Sequence, residues 1–267
     1  MNILVCVKPV PDPDRYGDLR IDNETKRLVR EGIPTVINPT DRNALEAALN
    51  LTSSMGGTVT VLSMTPEFCK DKIVESLAMG ADEGYILSDI AFGGADTYAT
   101  SYVLAQGIRA IEKAKGITFD LILAGNESAD GATSHVPVQV AQWLKLPHAA
   151  GVNRITVEEG LITVSKKGDG CTLEYRSKLP AVVAVSREIN KPRFVNAMGI
   201  IKARKKPLTV WSKESIEIDD TKIGLAGSPT QAGELIVPDM SRKSQLIEGE
   251  PEEVADAIMA IIRKAGV

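Results

Sequence analysis

Two histidines and three cysteines limit what this chain can do through its own side chains. Cys6, Cys69 and Cys171 have neither metal-ligand spacing nor an even framework, so they read as reduced thiols. With only His135 and His148 present, a multi-histidine metal site is nearly excluded. Ser134-His135 places a nucleophile beside a base, but adjacent residues do not generally align for proton transfer. More chemistry resides in the loop from 126 to 134, which follows the apolar run Leu121-Ile122-Leu123-Ala124 and Gly125. After it, Val136, Val140, Trp143 and Leu144 recur at helical spacing, with Pro137 in the first turn, where its missing N–H costs nothing. The segment therefore reads strand, loop, helix start. Free N–H groups at a helix start attract phosphate oxygens, and Asp130, Thr133 and Ser134 add groups for a ribose, a phosphate or the loop itself. The alternative is an ordinary strand-to-helix connection capped by Thr133 or Ser134.

The elements that must position this loop follow from the apolar pattern. Strands are expected at 2–8, 58–64 and 84–87, and helices begin at Asn38-Pro39-Thr40-Asp41, at Pro66-Glu67 and at Asp96-Thr97. Prolines 9, 11 and 13 force an extended exit from the first strand, and 14–37 reads as a hairpin-like excursion. This alternation predicts an α/β fold with a doubly wound, mostly parallel, Rossmann-like sheet and helices on both faces. Ligands in such sheets sit beyond the strand C-terminal ends. The expected lining is the loops 6–9, 63–66 and 125–134, with 38–41 converging on them.

After Pro147 the pattern changes to antiparallel strands at 152–157, 161–166 and 172–175, joined by Glu158-Glu159-Gly160 and Gly168-Asp169-Gly170 turns. A buried-type strand follows at 180–185. From about Glu188 regular spacing is lost, through the basic run 202–206, until a terminal helix at 251–265 with Val254, Ile258, Ile261 and Ile262 on one stripe. The division expected is a nucleotide-binding domain at 1–187 and an extended C-terminal arm at 188–267, packed on a partner subunit or folded back on its own domain.

With 267 residues, 43% of them hydrophobic, the chain can bury a sizeable core. Its 31 basic and 35 acidic residues give no field for nucleic acid, and no apolar run is long enough to span a membrane. The start, MNILVCVKPVPD, reads as a first strand rather than a signal peptide, and a cytoplasmic protein is expected.

The segments VCVKPVPD, VINPTDRNALEAAL, VTVLSMTP, MGAD, GGADTYATS, DLILAGNESADGATSHVP, LPAVVAV and KPRFVNAMGIIKARKKP, in this order, resemble the beta subunit of electron-transfer flavoproteins along nearly the whole chain. The resemblance implies an alpha-subunit partner carrying a redox-shuttling FAD, and an adenine nucleotide on this chain: AMP in ordinary members, a second FAD in electron-bifurcating ones. By position, the nucleotide would touch Cys6, Asn38, Pro39, Thr40, Asp41, Met64, Ser128, Ala129, Asp130, Gly131, Ala132, Thr133, Ser134, His135, Val136 and Gln139. INPTDRNALEAAL and GADTYATS resemble the bifurcating branch. That implies exchange of a hydride with NAD(H), with electrons passed to a flavin-dependent dehydrogenase and to a low-potential carrier such as ferredoxin or flavodoxin. Where bifurcating members usually read D-G-D-T-A-Q-V-G-P, this chain has Ala132, Ser134-His135 and Pro137. The family's recognition loop falls on Ala197, Met198 and Ile200, with Ala197 in place of a larger anchor.

Three other classes fit less well. A regulatory nucleotide-binding protein needs a glycine-rich ATP fingerprint, and an ATP-dependent ligase needs S-G-G-x-D-[ST] after the first strand. Lys8-Pro9-Val10-Pro11 stands there instead. A hydrolase would rest on Ser134-His135 alone.

Overall fold

The computed structural model describes residues 1–18, 20–21, 28–29, 33–231, 233 and 244–266. The strands are β1 (Asn2–Cys6), β2 (Pro9–Pro11), β3 (Arg20–Ile21), β4 (Leu28–Val29), β5 (Thr35–Ile37), β6 (Thr58–Met64), β7 (Glu83–Leu87), β8 (Leu121–Gly125), β9 (His148–Glu158), β10 (Leu161–Gly168), β11 (Cys171–Lys178), β12 (Ala181–Val185) and β13 (Leu208–Trp211). The α-helices are α1 (Pro39–Met55), α2 (Lys70–Met79), α3 (Thr97–Lys115), α4 (Val136–Leu144), α5 (Ala197–Ala203) and α6 (Pro251–Lys264). Among the described residues no helix is long and apolar enough to cross a membrane.

Nine strands form one sheet in the order β11-β10-β9-β12-β8-β1-β6-β7-β13. It is parallel except at β9, β10 and β11, which form the antiparallel end. A parallel sheet covered on both faces needs apolar residues at successive positions, and β1, β8 and β12 supply them. Ile3, Val5, Leu121 and Leu123 face a core shared with Leu45 of α1 and Ile73 of α2. Leu4 and Ile122 face the other way, against Leu104 and Ile108 of α3 and Val140 of α4. Chain order reverses between β1 and β8: β6 and β7 lie on one side of β1, and β8 and β12 on the other. The C-terminal ends of β1 and β8 therefore open a crevice at the switch point.

The α/β class and the mostly parallel sheet match the sequence expectation. The boundary differs. One compact unit runs from Met1 to Gly233 and a second is Glu234–Val267, rather than a break at 187. The segment after Glu188 is not an arm at its start. Here β13 extends the sheet beside β7, and Ile216 and Ile223 are buried. Helix α5 packs on α2 at close range. A Cβ built on Gly199 would lie 2.5 Å from the Ala78 carbonyl oxygen. Lys206 Nζ donates to the carbonyls of Leu77 at 3.0 Å and Ala81 at 2.5 Å, capping the end of α2, and burial lowers its pKa. The second unit contains α6, whose start carries a reciprocal capping box between Glu250 and Glu253. The excursion expected at 14–37 contains the antiparallel pair β3–β4 and ends in β5, which pairs antiparallel with β2 ahead of it; residues 19, 22–27 and 30–32 lie outside the described residues.

The α2–α5 contact is testable. Gly199→Ala places a methyl against backbone that cannot turn aside, so it should lower stability by about 1–3 kcal/mol in urea unfolding. Gly17→Ala, with nothing within 4 Å of the added Cβ, should be near neutral.

Candidate functional site

The crevice at the switch point holds a cleft of about 490 Å³. Helices α1, α3 and α4 begin on it: Asn38 and Asp41, Thr97 and Thr100, and Val136 and Pro137 all line its wall. Three helix starts turned on one cavity favour an anionic ligand. The backbone after β8 strengthens this. Ser134 is left-handed (φ 56°) and is followed by right-handed His135, a pairing that turns successive N–H groups toward one concavity. Among the described residues the N–H groups of Thr133, Ser134 and His135 have no acceptor. Such a cradle suits the phosphates of a nucleotide.

The loop is held from behind. Asn38 Nδ2 donates to the Glu127 carbonyl at 2.9 Å, and Asn38 Oδ1 accepts the Ala129 N–H at 3.0 Å. Thr40 Oγ1 donates to the same Glu127 carbonyl at 2.7 Å. Asp41 accepts the Lys8 N–H at 2.8 Å and the Gly125 N–H at 3.0 Å, tying together the two strands that border the crevice. A Cβ on Gly125 would collide with Thr40 and Asp41, so only glycine permits this approach. Burial pushes the Asp41 carboxyl up to about 7, against the pull of Asn38, the two N–H donors and Lys8. Burial, then Asp41, pushes the neighbouring Cys6 thiol up to about 12, which keeps it protonated and unreactive. Across the mouth, Lys8 Nζ contacts both oxygens of Asp130, at 2.7 and 2.8 Å, and Ser128 Oγ at 3.4 Å. Burial raises the Asp130 carboxyl, but Lys8 outweighs it and holds the group below the usual range.

Of the residues expected from sequence, Cys6, Asn38, Asp41, Met64, Ser128, Gly131, Thr133, Ser134, His135 and Val136 line the cleft. Pro39, Thr40, Ala129, Asp130, Ala132 and Gln139 do not, and Thr40 and Asp130 are turned to Glu127 and Lys8. Lys8, within the expected 6–9 loop, closes the mouth. Two parts of the wall were missed. The loop after β7 contributes Phe92, Gly94, Ala95 and Asp96. It belongs to the same set of strand-exit loops, and the Asp96-Thr97 helix start was visible. Thr230, far along the chain, donates through Oγ1 to Asp96 at 2.7 Å, and no local pattern marks it.

Asp41 sets a pH dependence. A carboxyl raised above its unfolded value of about 3.9 contributes stability that is complete below that pH and is lost as pH rises through about 7. Asp41→Asn removes this loss but leaves the Lys8 N–H without its acceptor, at a cost of about 1–3 kcal/mol. The stability advantage of the unmutated protein over the variant should therefore shrink between about pH 4 and pH 7, read from urea midpoints across that range.

Residues 25–216 match the family model described as the electron transfer flavoprotein domain. The chain is 39% identical over 266 residues, 99% of its length and 98% of the relative's, to the caffeyl-CoA reductase-Etf complex subunit CarD of Acetobacterium woodii. It is 36% identical over 264 residues to the electron transfer flavoprotein subunit beta of Clostridium acetobutylicum, covering 99% and 98% of the two chains. It is 33% identical over 269 residues to protein FixA of Azorhizobium caulinodans, covering 99% and 94%. With a mostly parallel sheet, a cleft at its switch point and a match along its length to these relatives, the chain belongs to the electron transfer flavoprotein family, among its beta subunits.

Proposed function

We propose that this beta subunit binds FAD in the cleft and, with an alpha subunit, passes electrons between NAD(H), a flavin-dependent dehydrogenase and a low-potential carrier such as ferredoxin or flavodoxin. The observation that carries the reading is the extent of the cleft. It runs from the cradle at 131–136 across to the start of α3, where Gly94, Thr97 and Thr100 form a second wall. A phosphate-sized or AMP-sized ligand has no need of that second wall, whereas a dinucleotide places one end at each. Bound flavin would supply two-electron exchange with a nicotinamide and one-electron exchange with other centres.

The chain's own residues have separable tasks in this reading. The N–H groups of Thr133, Ser134 and His135 hold the phosphates. Asn38, Thr40 and Asp41 act mainly from behind, fixing the loop so that those groups converge. Lys8, released from Asp130, is near enough to the cradle to offset phosphate charge. The name of the Acetobacterium relative, a subunit of a reductase complex, supports a dehydrogenase-type partner. The segment 192–206 is the surface proposed to meet it. Ala197 is exposed there, as are Met198 (61%) and Ile200 (46%). Phe194, which sequence reasoning did not single out, is 92% exposed. Among the described residues Lys202, Arg204 and Lys205 have no ion-pair partner and could steer an acidic surface, while Lys206 is committed to α2.

The second reading, AMP held structurally, draws on the departures at Ala132, Ser134-His135 and Pro137 and on the engagement of Asp130 by Lys8.

Gly131→Glu separates cofactor binding from folding. Gly131 has no left-handed φ, and a Cβ there meets only Ser128 Oγ at 3.3 Å, so the fold accepts a side chain. A carboxylate beside the cradle should weaken nucleotide retention by about tenfold or more through like-charge repulsion. The alpha-subunit flavin should stay in place. Full retention of adenine nucleotide by a folded variant would remove the assignment.

A further inference from the structure

Helix α1 starts at the cleft, but its middle does something else. Between the end of β12 and the start of α5, the chain from 187 to 196 has only a 3-10 turn at Arg187–Ile189. It is fastened to α1 at two levels. Asn43 Nδ2 donates to the Asn190 carbonyl at 2.9 Å and to Asn190 Oδ1 at 3.0 Å, and Asn190 Nδ2 returns a bond to the Asn43 carbonyl at 3.0 Å. Close to one turn later, Glu46 receives three donors from a single residue. Arg193 Nε lies 2.7 Å from Oε2, Arg193 Nη2 3.0 Å from Oε1, and the Arg193 N–H 3.1 Å from Oε2. Positions 43, 46 and 50 share one face of a helix, and Asn50 Oδ1 completes the set by accepting from Nη2 at 3.3 Å.

This is more than a surface ion pair. The Glu46 side chain is only 9% exposed, and a fork-to-fork pair fixes direction as well as distance. The side chain immediately after the fork is Phe194, and Val195 packs inward against the core. At the far end, Gly199 and Lys206 fix α5 to α2. The exposed stretch of Phe194, Met198 and Ile200 is thus held at both ends, and its near end is set by the same helix whose first turn shapes the cleft.

We propose that Glu46 is a positioning residue for electron transfer to the partner: through Arg193 it holds the partner-facing segment in a fixed place relative to the cofactor cleft. A misplacement of about 1 Å in such a surface is enough to weaken productive docking. The inference rests on the reading of 192–206 as the docking surface, and the test separates the two.

The alpha–beta heterodimer is prepared with Glu46→Gln, which keeps the volume and removes the charge, with Arg193→Lys, which keeps the charge and removes the fork, and with Met198→Asp, which alters only the exposed face. Hydrogen exchange of the amides at 191–203 is compared with that at 38–42 and 126–136. KM and kcat are measured with the flavin dehydrogenase that co-purifies with the pair, alongside turnover of a small dye acceptor. Glu46→Gln should speed exchange at 191–203 by about tenfold and raise KM for the dehydrogenase about tenfold, with dye turnover and nucleotide content unchanged. Arg193→Lys should fall between it and the unmutated protein. Met198→Asp should raise KM with exchange unchanged. Unaltered exchange in Glu46→Gln overturns the latch whatever the kinetics. Faster exchange with unaltered KM, while Met198→Asp raises KM, overturns the positioning role and leaves the docking surface standing. If neither variant moves KM, the docking surface falls and the positioning role falls with it. Arg193, with a side chain 41% exposed, tolerates change, so Arg193→Lys decides between the same outcomes if Glu46→Gln does not fold.

Discussion

Two backbone N–H groups leave the sheet where the strand order reverses, one from Lys8 after β1 and one from Gly125 at the end of β8, and both donate to the buried carboxylate of Asp41. The cleft depends on that arrangement. It draws the first turn of α1 between the two strand exits and requires a glycine at 125. It also places Asn38 and Thr40 where they can hold the carbonyl of Glu127. With the loop root fixed, the left-handed turn at Ser134 brings unpaired N–H groups to the start of α4. A buried carboxylate is costly when charged, and here two backbone donors and Asn38 offset only part of that cost, since the group stays displaced to about 7. The site is therefore organised around a group chosen for geometry rather than for comfort in its ionised form.

The same helix reaches two places. Its first turn shapes the cleft, and Asn43, Glu46 and Asn50 secure the chain that leads to the exposed face of α5. Helices are stiff over this length, so a cofactor and a partner addressed as proposed would share one frame of reference. In contrast, the wall formed by Asp96 is secured by a distant crossing: Ser228 accepts the Asp96 N–H at 2.8 Å, and Thr230 bonds its carboxylate.

Much of this was legible in the sequence, for identifiable reasons. Strands β1, β8 and β12 are apolar at nearly every position because both faces are covered, and Asn38-Pro39 and Asp96-Thr97 mark helix starts. The crevice and its loop at 125–134 followed from the alternation of elements. What stayed hidden was set by contacts distant in sequence. β13 is four half-buried residues, identifiable as a strand only because β7 lies beside it. Helix α5 buries only Ala203 and leaves Met198, Ile200 and Ile201 exposed, so it shows no inward stripe. The compact unit consequently extends to Gly233, well past the point where periodicity fades. Lys8–Asp130 and Glu46–Arg193 join residues more than a hundred positions apart, and no spacing rule connects them. Phe194 stands within the quoted KPRFVNAMGIIKARKKP segment, but that it is almost fully exposed follows only from the structure.

The central claim is that the cleft takes a dinucleotide across its two walls. The most direct measurement is to denature the purified alpha–beta pair and to identify and count the nucleotides released per heterodimer. Two FAD are predicted, one from each subunit. One FAD together with one AMP would contradict the claim, leaving the start of α3 without a role in cofactor binding.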